Sequence, residues 1–127
     1  MLNVLLAKHK NTHPVGSGLE IAKWLLERQG FARCQIGEGR EALEGPLDKY
    51  DVVVLFCVAE EMSAQEEKNL CDFVKNGGGL VGLHSASDIA LYNASDSSAK
   101  NRDYLDMLGA KFIDHDPGSG DDGEAMR

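Results

Sequence analysis

Several features that would point to particular functions are scarce or absent in this sequence. The three cysteines are an odd number without paired spacing, so we expect reduced thiols in a cytoplasmic protein rather than a disulfide scaffold. A net charge of −8 disfavours nucleic acid or an anionic membrane as partner, because both require clustered basic side chains. No apolar run reaches the length of a membrane span, and no signal peptide is evident. The 127 residues suit one domain.

Short motifs with a known chemistry are missing as well. The sequence has no HExxH metal-binding pair. Glycines 77–79 precede an apolar run, whereas a phosphate-binding loop follows a strand and opens a helix. Gly16-Ser17-Gly18 lies after the first apolar run but does not complete GxGxxG. We therefore expect neither a phosphate loop nor a dinucleotide-binding fingerprint.

What the sequence does contain is a regular succession of short apolar runs and amphipathic stretches. We predict strands over residues 2–7, 31–36, 52–58 and 80–83, a short strand over 110–113, and helices that begin at 13–14, 63 and 101. Ser63 and Glu66 have the spacing of a capping box. The buried face of the first helix should consist of Val15, Leu19, Ala22 and Leu26, widened by Ile21 and Leu25. This rhythm is typical of an α/β fold with a doubly wound, mainly parallel sheet in three layers.

Three of the four histidines follow predicted strands. His13, His84 and His115 should meet at the edge where the carboxyl ends of parallel strands lie. Their imidazoles, with a carboxylate such as Asp88 or Asp114, would make a plausible site for a divalent metal such as zinc. Each also has a simpler interpretation, such as a hydrogen bond to a backbone carbonyl or exposure on the surface. The fourth histidine, at position 9, is expected to be exposed in a polar loop.

The stretch Asn76-Gly77-Gly78-Gly79-Leu80-Val81-Gly82-Leu83-His84-Ser85-Ala86 resembles the signature of the ThuA-like (trehalose utilisation) family, which is related to class I glutamine amidotransferases. The resemblance runs from about Val4 to about His115. It implies the amidotransferase-like, flavodoxin-like fold and a role in using trehalose or a related disaccharide. It also implies a site in which His84 and Ser85 are catalytic and His13, His115 and Asp88 bind the sugar.

The turn after the glycine-rich strand tests one mechanism directly. Class I amidotransferases present a cysteine in a Gly-x-nucleophile-x-Gly elbow. Here His84 occupies the place of the nucleophile and Ala86 replaces the closing glycine. Cysteine-dependent glutamine amidotransfer is therefore disfavoured. Acid–base or metal-assisted chemistry on a sugar is expected if the protein is an enzyme, and the alternative is a scaffold that binds a ligand without turnover.

The resemblance also bears on domain limits, because family domains are usually longer than this chain. We expect residues 1–117 to form the N-terminal portion of the family domain, with a fold incomplete at its C-terminus. Residues 118–127 are expected to be a disordered acidic tail. A sheet without its later strands leaves an apolar edge exposed, which predicts either a homo-oligomer formed through that edge or marginal stability.

Overall fold

The protein is an α/β structure in which a four-stranded sheet lies between helices. The computed structural model describes residues 1–9, 16–56, 61–83, 86 and 101–109. Within these ranges the elements, in chain order, are β1 (Leu2–Lys8), α1 (Gly16–Arg28), β2 (Ala32–Glu38), α2 (Glu41–Glu44), β3 (Val52–Phe56), α3 (Ala64–Lys75), β4 (Gly79–Leu83) and α4 (Arg102–Leu108). The predicted order of strands and helices is confirmed.

The described strands are all parallel and are arranged in the order β2-β1-β3-β4. The two central strands are the most apolar runs, as expected for strands that are covered on both faces. Val4 pairs with Cys34 on one side and with Val52 on the other. The chain therefore starts in the middle of the sheet, builds one edge through β2, and then crosses to build the other edge through β3 and β4.

Alternate residues of the central strands face two separate hydrophobic clusters. Leu5, Ala7, Val53 and Leu55 pack with residues of α2, α3 and α4, which form one layer. Val4 and Leu6 pack on the opposite side of the sheet, where α1 contributes Leu19, Ala22 and Leu26. These clusters define the three layers that the sequence predicted.

Helix α3 has well-defined ends. Ser63 is its N-cap, and Ser63 and Glu66 form the predicted capping box. The helix ends at Lys75, and Gly77 follows with φ of 97°, a conformation that favours glycine. Gly78 is required for a different reason, since a Cβ there would overlap the ring of Phe73.

Two details of the predicted core are wrong. Ile21 and Leu25, expected to widen the buried face of α1, are largely exposed. Strand β4 was expected to be buried, but Val81 and Leu83 are partly exposed. Among the described residues only Leu80 of β4 packs against the cluster on the α3 side. The expected strand over 110–113 and the expected tail over 118–127 lie outside the described residues.

The described cysteines, Cys34 and Cys71, are buried and free, in agreement with the expectation of reduced thiols. Burial raises the pKa of both thiols, so each is held in its neutral form. In the part of the chain that the structure describes, every helix is too short or too polar to cross a membrane.

Candidate functional site

The residues predicted to form the site lie outside the described part of the chain. They are His13, His84, Ser85, Asp88 and His115, together with the alternative metal ligand Asp114. Strand β4 ends at Leu83, so the chain reaches the carboxyl edge of the sheet directly before position 84. The convergence of these residues stays a prediction.

At the same edge the structure places a pair of residues that the sequence did not single out. His9 follows the last residue of β1, and Glu66 lies in the first turn of α3. Nε2 of His9 is 3.0 Å from Oε1 of Glu66, and both side chains are 0% exposed. The expectation that His9 is exposed is wrong. Residues 5, 7 and 9 lie on the α3 side of the sheet, and His9 is buried there.

The capping box of α3 fixes the position of Glu66. Its Oε2 accepts a hydrogen bond of 2.6 Å from the backbone N–H of Ser63. The Glu66 N–H in turn donates to Oγ of Ser63 at 3.1 Å. The Ser63 hydroxyl donates to Oε1 of Glu44 at 2.8 Å, which ties this turn to α2. One carboxylate oxygen of Glu66 thus serves the cap and leaves the other directed at His9.

The contact between His9 and Glu66 does not have the geometry of a hydrogen bond. Although Nε2 and Oε1 are 3.0 Å apart, neither atom has a hydrogen-bond partner among the described residues. Nδ1 of the same imidazole is also without a partner there. Close approach without alignment leaves three buried polar atoms unsatisfied, which is unusual because such atoms are nearly always paired.

The pair lies where the topology of the sheet reverses. From β1 the chain leads through α1 to β2, and from the neighbouring β3 it leads through α3 to β4 on the other side. In open α/β sheets the connections diverge at such a point and leave a crevice outside the carboxyl ends of the strands. His9 comes from one side of this crevice and Glu66 from the other. Ligands of α/β proteins commonly bind there.

Helix α4 is fastened to the same turn of α3. Asn101, with φ of 60°, accepts a hydrogen bond of 2.9 Å from Met62 N–H and donates one of 3.1 Å to Met62 O. Asn101 also donates to Glu67, whose other oxygen accepts from Tyr104 N–H at 3.1 Å. These contacts fix the segment that enters α3.

Helix α4 also holds the chain after β4. The hydroxyl of Tyr104 donates a buried hydrogen bond of 2.9 Å to the carbonyl of Ala86, two residues after His84. Burial raises the pKa of this phenol, so it remains a donor at neutral pH. The described anchors of the carboxyl edge therefore come from α3 and α4.

A cavity of about 710 Å³ lies at the opposite, amino-terminal edge of the sheet. Its lining includes Leu2, Asp51 and Gly78. The Asp51 carboxylate accepts a hydrogen bond of 2.7 Å from Asn3 N–H, and this contact gives it a structural role. Because ligand sites of such sheets form at the carboxyl ends of the strands, we place the candidate site with His9 and Glu66 rather than in this cavity.

Sequence reasoning assigned Glu66 only to the helix cap and assigned His9 to the surface. The alternation of residues 5, 7 and 9 was the available signal, because it extends two residues past the apolar run that ends at residue 7. Among the described residues there is no group of three or more His, Cys, Asp or Glu side chains placed to share a metal ion.

Comparisons with known proteins agree with this architecture. A search of curated proteins found no match. A solved structure, β-galactosidase from Bifidobacterium adolescentis, superposes with a TM-score of 0.61 at 19% sequence identity, over 98% of this chain. The match spans 65% of that protein's chain, and at this identity it establishes the fold alone. The family model described as "ThuA: Trehalose utilisation" matches residues 3–125, nearly the whole sequence, and the chain therefore belongs to the ThuA family.

Proposed function

We propose that this protein binds trehalose or a related disaccharide at the carboxyl edge of its sheet. His84 is the central residue of the proposed site and acts as the acid–base group on a sugar hydroxyl or carbonyl. Ser85 is the second catalytic residue, and His13, His115 and Asp88 contribute to sugar binding. The family description, trehalose utilisation, supports this class of ligand, and the usual position of ligand sites in such folds supports this edge.

The observation that carries the proposal is the buried, unpartnered pair of His9 and Glu66 at the reversal of the sheet. Burying polar groups without partners costs free energy, and such groups persist mainly where a function uses them. His9 directly follows β1, Glu66 lies in the first turn of the helix that comes after β3, and β4 ends at Leu83 on the same edge. An imidazole at position 84 would thus join an edge that already contains one imidazole and one carboxylate.

Ligand binding can be tested by isothermal titration calorimetry and thermal denaturation with trehalose, maltose, sucrose and lactose. We expect saturable binding of at least one disaccharide, with a Tm that rises with its concentration by mass action. His84→Ala should abolish both the heat of binding and the Tm shift.

The matched control is Asp48→Ala, which changes a residue lining the cavity at the amino-terminal edge. This variant should bind the sugar like the wild type. Loss of binding in Asp48→Ala with retention in His84→Ala would place the sugar in the amino-terminal cavity and refute the proposed site. Absence of binding by the wild type would refute the proposed ligand class.

Turnover is a separate question that the same preparations answer. Disaccharides that bind are incubated with the protein, and the anomeric region is followed by proton NMR. New signals that depend on His84 would support acid–base catalysis. Unchanged spectra despite saturable binding would identify a scaffold that binds sugar without turnover.

A further inference from the structure

We propose that Nε2 of His9 and Oε1 of Glu66 are two ligands of a divalent metal ion bound beneath the carboxyl edge of the sheet. The proposal concerns a site different from the set His13, His84, His115 and Asp88 that the sequence suggested. It rests on the same His9–Glu66 pair as the proposed function, but it does not require that the protein bind a sugar.

The donor atoms suit a transition metal. A neutral imidazole nitrogen and a carboxylate oxygen are both ligands of Zn²⁺ and of the neighbouring first-row ions. Calcium and magnesium prefer sites made of oxygen alone. The imidazole makes Zn²⁺, or an ion of similar preference such as Co²⁺, the expected occupant.

The distance between the two atoms fits shared coordination. Typical metal–nitrogen and metal–oxygen distances are about 2.0–2.2 Å. Two ligands at about 2.1 Å from one ion are separated by about 3.4 Å at the tetrahedral angle that zinc prefers, and by about 3.0 Å at the right angle of a five- or six-coordinate ion. The observed separation of Nε2 and Oε1 is 3.0 Å.

A direct ion pair explains the geometry less well. A protonated imidazole facing a carboxylate would direct its N–H along the line between the atoms and form a charge-assisted hydrogen bond. Here that alignment is lacking, and both Nε2 and Oε1 are unpartnered among the described residues. A cation placed between the two lone pairs would satisfy both atoms at once.

The surroundings of Glu66 match those of a metal ligand. Carboxylates that bind metals are usually oriented by further hydrogen bonds on their other oxygen. The second oxygen of Glu66 accepts from Ser63 N–H at 2.6 Å, and both side chains of the pair are fully buried. The pair supplies two positions, and water or other oxygen and nitrogen donors would fill the rest.

The test starts from protein without a histidine tag, stripped with a chelator and then dialysed against Zn²⁺. Bound metal is measured by inductively coupled plasma mass spectrometry. We expect about one equivalent of Zn²⁺, a higher Tm with Zn²⁺ than with EDTA, and visible absorption bands after Co²⁺ substitution.

Glu66→Gln is the informative variant, because glutamine still supports a capping box but lacks the ligating carboxylate. We expect at least a ~10-fold weaker affinity for Zn²⁺. Glu67→Gln is the matched control, since it makes the same change one residue along α3, where the side chain contacts Asn101 and Tyr104. It should retain the affinity of the wild type.

His9→Gln removes the other ligand and leaves the α3 cap intact, so it is measured beside Glu66→Gln. Wild-type protein that binds no metal and shows no Tm change with Zn²⁺ or Co²⁺ would overturn the proposal, whatever the variants do. Equal affinity in the wild type and Glu66→Gln would also overturn it. Zinc binding without a response to disaccharides would support this site and refute the sugar proposal, and the reverse pattern would refute only the metal site.

Discussion

The two faces of the sheet are built differently. On one face, α2, α3 and α4 cover a cluster that includes Leu5, Leu55, Leu70 and Tyr104, each at most 2% exposed. On the other face, the described residues supply only α1 as cover, and its Leu19 is the one fully buried residue of that helix. The α3 side also contains the polar contacts of the buried Glu66 and Asn101 and of the partly buried Glu67, whereas the outward side of α1 presents large apolar side chains.

This difference indicates that the α3 side of the sheet holds the candidate site in place. The described contacts that fix the candidate site come from α3 and α4, and they are hydrogen bonds of 2.6–2.9 Å between buried or partly buried groups. The α1 side contributes packing that is less complete, with Trp24 exposed and stacked under the guanidinium of Arg28 at 4.9 Å. The α3 side therefore should dominate stability as well as site geometry.

The largest expected effect is Leu70→Ala. Leu70 is completely buried in the α3-side cluster, and removing three carbon atoms from such a position usually costs about 2–5 kcal/mol of unfolding free energy. We expect the upper part of this range, because the surrounding helices are also joined by hydrogen bonds and cannot easily collapse. Urea denaturation followed by circular dichroism measures the loss.

Leu19→Ala is the matched change on the α1 side, since Leu19 is equally buried. Fewer described elements surround it, so the helix can settle onto the sheet and the loss should be smaller than for Leu70→Ala. Equal losses in the two variants would show that the two faces of the sheet are equally well packed, which would contradict the proposed difference between them.

The next effect is that of adding one methyl group at glycine 78. A Cβ at this position would overlap the ring of Phe73, which is buried in the α3-side cluster. Gly78→Ala should lower the free energy of unfolding by about 1–3 kcal/mol, as overpacking does elsewhere. Thermal denaturation by calorimetry measures it.

Gly18→Ala provides the contrast on the α1 side. A Cβ there meets no atom within 4 Å, and the residue lies within α1. Alanine favours a helix over glycine, so this variant should be stabilised by about 0.5–1 kcal/mol. A Gly78→Ala variant as stable as Gly18→Ala would mean that Phe73 can move aside and that this part of the cluster is loosely packed.

Elements with a strong local pattern were predictable from the sequence. The apolar runs of β1 and β3 located the centre of the sheet, and the Ser63–Glu66 spacing located the start of α3, because each signal depends on neighbouring residues alone. Ile21 and Leu25 were assigned wrongly because helical periodicity describes a face but not how far a neighbouring sheet extends across it.

The site was less accessible to sequence reasoning. The helix cap already explained why a glutamate stands at position 66, so nothing in the sequence suggested a second contact of Glu66 through its other carboxylate oxygen. His9 lies 57 positions earlier in the chain, and the two meet only because β1 and β3 are neighbours in the sheet. Pairings of this kind depend on topology. The convergence of His13, His84 and His115 remains a prediction, because these residues lie outside the described part of the chain.

Tyr104→Phe tests the link between α4 and the chain after β4. Removing the hydroxyl leaves the buried carbonyl of Ala86 without its donor, which should cost about 1 kcal/mol at pH 8. Urea denaturation measures it. Tyr50→Phe removes a more accessible hydroxyl that donates to Gln35 and should cost less. A larger loss in Tyr50→Phe would contradict the importance of the α4 anchor.

The same substitution has a pH signature. Burial raises the pKa of Tyr104 in the native state, so above pH ~10 the unfolded chain loses this proton first. As pH rises above ~10, the free energy of unfolding therefore falls by up to ~1.4 kcal/mol per pH unit. Below pH ~10 the phenol is protonated in both states and this loss of stability is absent. Stability of Tyr104→Phe should therefore fall less steeply between pH 9.5 and 10.5 than that of the wild type. Parallel curves would show that the phenol is not buried in solution.

The smallest effect is expected on the outward side of α1. Ile21 is 58% exposed, and alanine is the better helix former, so Ile21→Ala should change the free energy of unfolding by no more than about 0.5 kcal/mol. The measurement is made at two protein concentrations, because an apolar surface that contacts a second copy would make Tm depend on concentration. A loss above about 1 kcal/mol at high concentration, absent at low concentration, would mean that Ile21 is covered by another molecule. The weaker packing of the α1 side would then belong to the single chain and not to the assembled protein.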